Sequence, residues 1–329
     1  MSEVMATNAA SSNIKLDKKS LKALMRRNDR AGLTWVSLWI IGLSVTGILL
    51  YGSFGTWWLV PAMILYGIVL TLPSYALSHE CAHGTAFRTR WINETFFWIS
   101  SLIYFEEPNH RRYAHARHHT YTWIRAKDAQ ITFHTPLTLK GWFMEISGLG
   151  QYLYEAKILP RNALGLFNQE IKEFTPASEL PKLKWGARAF LAFYLGLAGL
   201  SIAFAWTWPL YFLLIPRLIG APFMLLVTLI QHVEMQEDQH DITKSTRSCR
   251  TTWLGRFLYM NMNHHIEHHL YPMVPFHALP ALNGAIKDQL PEPDPGFIRT
   301  NLEVVGVVIR RSLGRNTKAA TIRQAASQY

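Results

Sequence analysis

Two cysteines, Cys81 and Cys249, are all that 329 residues contain. They form no C-x-x-C spacing, which excludes a disulfide framework, a cysteine zinc site and a thiolate-held iron–sulfur cluster. Charge is scarce too. Asp, Glu, Lys and Arg make up 17% of the chain, against about 25% in soluble domains. No charged residue occurs from Ala31 to Ser78, nor from Ala189 to Pro216. A soluble core helix has no use for runs of that length, whereas a membrane span needs about 20 mostly apolar residues. No nucleic-acid-binding signature accompanies the net charge of +11, so the basic balance points to anionic lipid or an acidic protein partner and not to nucleic acid. The first 30 residues lack an apolar core that a cleavable signal would need.

What is present is a hydrophobic, aromatic chain, with 49% apolar residues, 12 Trp, 13 Tyr and 17 Phe. The uncharged runs predict four spans, near 33–51, 57–77, 185–205 and 209–232, grouped as two hairpins. Arg217 interrupts the fourth and is expected to reach the outer interface or to shorten that span. The segment before the first span carries seven Lys and Arg, and the turns "YGSFGT" and "WTWP" carry none. The positive-inside rule then predicts a multi-pass protein with both termini cytosolic, in a bacterial inner membrane or the endoplasmic reticulum. The segments Glu80–Lys184 and Glu234–Tyr329 fall on the same side. Within the first of these, "WINETFFWISSLIYF" is too short and too polar to span and reads as an interfacial helix. The division is a basic segment over 1–30, a membrane domain over 31–282 and a tail over 283–329, loosely ordered after Pro295.

Eight of the 14 histidines fall in three clusters: His79 and His83 in "HECAH", His115, His118 and His119 in "HARHH", and His265, His268 and His269 in "HIEHH". On a helix, i, i+3 and i+4 share a face, so each cluster aims two or three imidazoles at one place. Neutral imidazole suits iron, zinc and copper. The pentapeptide HECAH alone also fits a zinc peptidase, with Glu80 as general base. That reading leaves at least five clustered histidines without a role, whereas eight fill most coordination positions of two metal ions. Glu80 and Glu267 are then expected to orient ligand imidazoles through their ring N–H groups.

The three clusters, in this order and with the "EHHLYP" ending, resemble the histidine boxes of the integral-membrane fatty acid desaturase family over about residues 33–282. The resemblance implies an all-α fold with four transmembrane helices and a cytosolic helical region holding two Fe2+ ions, with O2 as co-substrate. It implies attack on an unactivated C–H bond of a lipid or acyl chain. The eight box histidines carry over as iron ligands. His232, in "LIQHVEM", matches a further ligand at the cytosolic end of the fourth span, with Glu234 a carboxylate able to hold it. Asp128 matches an acidic position after the second box. His264 stands where relatives often have an aromatic residue and is left out of the ligand set. Electrons must come from a separate donor, a ferredoxin or a small b-type cytochrome with its reductase. The boxes do not separate a desaturase from a hydroxylase of the same architecture acting on a lipid or another small molecule.

Overall fold

A computed structural model describes residues 12–131 and 135–314. Among these the chain is helical and holds no β-strand beyond one isolated bridge, Cys249 with Asp294. In order the helices are α1 (Lys18–Leu24), α2 (Asp29–Gly52), α3 (Leu59–His83), α4 (Arg90–Tyr104), α5 (Pro108–Thr120), α6 (Leu139–Ser147), α7 (Leu149–Leu164), α8 (Gln169–Phe174), α9 (Leu180–Ala203), α10 (Ile215–Leu229), α11 (Ile242–Ser245), α12 (Trp253–Leu258), α13 (His265–Leu270), α14 (Leu279–Ile286) and α15 (Phe297–Ser312). They belong to two compact units. Among the described residues, one comprises 27–115 and 148–224, the other 12–26, 116–131, 135–147 and 225–314.

Four helical stretches are long and apolar enough to cross a membrane: Asp29–Gly52, Leu59–His83, Ala177–Ala203 and Leu210–Leu229. They match the four predicted spans. The surface they leave open is apolar, including Leu38, Ile41, Val45, Ile48, Leu195 and Ile202. Water does not tolerate so large a hydrophobic face on one protein, and hydrocarbon does.

In the first unit, α3 and the start of α10 cross at glycine. A Cβ on Gly220 would stand 2.1 Å from the Gly67 carbonyl oxygen, and one on Gly67 would stand 2.6 Å from the Pro216 oxygen. Only hydrogen side chains permit this approach, as in other membrane helix pairs. Around the crossing, Leu50, Met63, Tyr66 and Leu70 form the buried core. Arg217 departs from the sequence expectation. It is buried, and its Nε and Nη2 donate to the Tyr104 carbonyl at 3.0 and 2.8 Å. Backbone takes two of its donor groups and the guanidinium lies over the Tyr104 and Tyr152 rings, which holds the charge inside the protein. The interfacial segment is helical as expected, over α4. It is held to α3 by the Ser78–Ser101 hydroxyl pair at 3.0 Å and by the Asn93 amide on the Cys81 carbonyl at 2.9 Å.

The second unit has two cores. Ile242, Ile266, Leu270, Val274, Leu279 and Leu282 build one around α13 and α14. Leu137, Ile230, Val233, Val304 and Val308 build the other. The second core includes α15, so the segment after Pro295 is ordered helix over 297–312 and not a loose tail. Thr300, Val304 and Val308 recur every four residues and present one buried stripe. The expectation about the final residues lies outside the described part of the chain.

Candidate metal centre

Each histidine cluster sits where a helix begins, continues or ends. α3 runs past the apolar stretch and stops at His83, because Gly84 takes a left-handed conformation (φ +69°) and closes the helix. His79 and His83 thus share one face of its last turn. α5 carries His115, His118 and His119, and α13 carries His265, His268 and His269. His232 follows the end of α10. All nine are buried.

In the first unit, His115 Nε2 lies 3.1 Å from His79 Nε2 and 3.0 Å from His83 Nε2. In the second, one ring nitrogen from each of His118, His232, His265 and His269 lies within 4.8 Å of the others. His265 Nε2 is 3.1 Å from both His232 Nε2 and His269 Nε2. His119 and His268 pack beside each other there, ring centroids 4.8 Å apart.

The groups behind the rings fix the tautomers. His232 Nδ1 is 3.0 Å from the Ser245 carbonyl oxygen, which only accepts, so Nδ1 carries the proton. His118 Nδ1 donates to Asp128 Oδ2 at 2.8 Å. The Thr122 hydroxyl donates to the His118 carbonyl at 2.9 Å, so it accepts from His269 Nδ1 at 3.0 Å. His118, His232 and His269 therefore all present a bare Nε2 lone pair. His265 Nε2 faces two of these and can offer at most one proton. At least one pair of lone pairs meets at 3.1 Å without a hydrogen between them. A cation relieves that repulsion, and the donor set of neutral imidazoles fits a first-row transition metal. Burial pushes His232 and His268 down to about 3 and lowers His269 well below the usual imidazole range, so these rings stay neutral at ordinary pH.

Asp128, matched by the resemblance to an acidic position after the second box, lies against a ligand-type imidazole. Burial alone would raise its carboxyl; His118 and two backbone N–H groups more than offset this and lower it. One sequence reading needs correction. Glu234 does not hold His232: it pairs with Arg311 at 2.6 and 2.9 Å, since α15 brings a guanidinium to it. Glu267 does not touch a box histidine that any described contact identifies. Its oxygens receive Ser248 at 2.7 Å, Asn283 at 2.5 Å and His264 at 3.2 Å. Ser248 also accepts the Ile266 N–H at 3.0 Å, so Glu267 and Ser248 together pin the start of α13. Glu80 is buried within α3. Thr122, Ser245 and Trp123, whose indole stacks on His232 with centroids 5.8 Å apart, were not legible beforehand. Ser245 acts through its carbonyl, which any residue supplies. Thr122 carried a weak signal, lying three residues beyond a histidine pair.

Four apolar spans and two buried polyhistidine sets define a membrane protein with sites suited to metal. The chain belongs to the fatty acid desaturase family, whose model matches residues 55–301, and is accordingly an oxidoreductase. It is similar to the "sn-1 acyl-lipid omega-3 desaturase (ferredoxin)" of Nostoc sp. (strain 36), at 23% identity over 260 residues, covering 73% of this chain and 68% of that protein.

Proposed function

We propose that the protein is an O2-dependent di-iron desaturase that introduces a double bond into a fatty acyl chain or lipid. The observation that carries this reading is the convergence of buried imidazole Nε2 atoms within each unit. His79, His83 and His115 in one unit, and His118, His119, His232, His265, His268 and His269 in the other, would hold two Fe2+ ions. Bound iron supplies the capacity to activate O2 and remove hydrogen from an unactivated C–H bond. The chain's own residues orient and protect: Asp128, Thr122 and the Ser245 carbonyl hold three imidazoles in one tautomer, and burial keeps His232 and His269 unprotonated. Glu80 is assigned to orienting a ligand imidazole of α3.

The overall reaction removes two hydrogens from adjacent CH2 groups, consumes one O2, two electrons and two protons, and yields an alkene and two waters. The cysteines of the 329 residues form no cluster spacing, and the reading takes the electrons from a separate carrier, a ferredoxin or a small b-type cytochrome with its reductase. The relative's printed dependence on ferredoxin supports the first of these. The Lys and Arg distribution supports cytosolic termini.

The test is expression with a matched reductase, followed by mass spectrometry of lipids and polar metabolites. Loss of two hydrogens from an acyl chain is the expected result. Gain of one oxygen identifies the hydroxylase of the same architecture instead.

A further inference from the structure

The first unit buries another group of ligand-type side chains, apart from the histidine boxes. Glu106 stands just before α5, His110 lies in its first turn, and Glu155 comes from α7. One ligand atom from each lies within 4.8 Å of the others. Their exposures are 7%, 5% and 3%.

Their hydrogen bonding is incomplete. His110 Nδ1 is buried and has no hydrogen-bond partner. Glu106 Oε1 stands 3.8 Å from it, beyond hydrogen-bond range. The other oxygen of Glu106 is occupied by Arg111 Nη1 at 2.6 Å. Neighbouring Glu107 is spent as a cap: its oxygens receive the Asn109 amide and the His110 backbone N–H, both at 2.7 Å. No hydrogen bond or salt bridge joins Glu155 to any described residue. The charges acting on Glu155 are those of His110, Glu106, Glu107 and Arg111. Three carboxylates against one guanidinium leave two negative charges when His110 is neutral. A buried site cannot carry that uncompensated.

Protons or a divalent cation would compensate it. Burial raises the Glu155 and Glu107 carboxyls, so protons on them compensate the metal-free site, yet His110 Nδ1 still meets no acceptor at hydrogen-bond distance there. Ligands about 2.1 Å from one metal stand roughly 3.0–3.5 Å apart, so the 3.8 Å between His110 Nδ1 and Glu106 Oε1 needs to close by some tenths of an ångström, and Glu155, within 4.8 Å, has to move in by at most about 1–2 Å. We propose that Glu106, His110 and Glu155 form a binding site for one divalent transition-metal ion, Zn2+ or Mn2+, distinct from the irons. The ion ties α7 to the start of α5, about 7.5 Å along that helix from His115. One nitrogen and two carboxylates are a donor set both ions accept.

The experiment is elemental analysis of full-length protein purified in detergent after incubation with ZnCl2 or MnCl2. Wild type should hold one zinc or manganese per chain in addition to iron. Glu155→Gln and His110→Asn should each lose that equivalent and keep their iron. Wild type with no such metal overturns the proposal, as does metal that stays in both variants. If neither variant folds, X-ray absorption of the wild-type zinc decides. One imidazole per zinc supports the site; several imidazoles place the zinc on the box histidines and overturn it. Because iron is counted separately, failure of the di-iron reading leaves this test intact.

Discussion

His232 Nδ1 donates to the Ser245 carbonyl at 3.0 Å, and that single bond turns its bare Nε2 toward His265. This geometry is why we propose His232 as a ligand. His232→Ala should lose activity together with part of its iron, roughly 10–100-fold in affinity or rate, much as His118→Ala would. His232→Gln, of similar size and polarity, should not restore either. Near-normal turnover with two irons per chain in His232→Ala would make the residue structural.

Asp128 makes a second such prediction. Its Oδ2 accepts from His118 Nδ1 and from the Trp123 N–H at 2.9 Å, and its Oδ1 from the Gln130 N–H at 2.9 Å. An amide cannot accept through its NH2 group. Asp128→Asn should thus release iron to a chelator roughly 10–100-fold more readily, with the helical content unchanged by circular dichroism. Iron retention equal to wild type would remove Asp128 from the centre.

Burial pushes the Glu155 carboxyl up to about 8 and the Glu107 carboxyl up to about 7. His110, Glu106, Glu107 and Arg111 face Glu155, and Tyr154 beside it is also raised by burial and stays neutral. An acid whose folded pKa exceeds its unfolded value stabilises fully below the unfolded value, and that contribution is lost as pH rises through the folded one. His110, raised by its carboxylate neighbours against the effect of burial, acts in the same direction. Chelator-treated protein should consequently melt at lower temperature as pH rises from 6 to about 9. Glu155→Gln should flatten that slope, and added zinc should reverse it by stabilising the ionised carboxylates. A slope unchanged by Glu155→Gln would show that other groups set it.

Topology is open to a direct check. Reporter fusions at Gly55 and Trp208 should lie outside, and a fusion at Lys140 inside. An external Lys140 would contradict the expected topology, in which Glu80–Lys184 lies on the cytosolic side.

How far the sequence reached depends on what kind of signal each feature leaves. The spans and the three clusters were legible because uncharged length and i, i+3, i+4 spacing are periodic properties of the chain itself. Asp128 was matched only through resemblance, since nothing about a loop aspartate announces a histidine partner. Glu234 misled because adjacency along the chain favoured His232, whereas folding delivered Arg311 from 77 residues away. Arg217 misled because its acceptor, the Tyr104 carbonyl, is backbone and leaves no trace in residue type. The Glu106, His110 and Glu155 group was invisible for a related reason: three isolated polar residues on two helices become a cluster only when α5 and α7 pack.

The central claim is that the nine histidines hold the iron on which catalysis depends. Its most direct test is metal content measured beside turnover, in purified wild type and in His118→Ala and His268→Ala. The account predicts two irons per chain in active wild type, and loss of both iron and activity in each variant while the spans still insert. Fully active protein that carries zinc and no iron would contradict it.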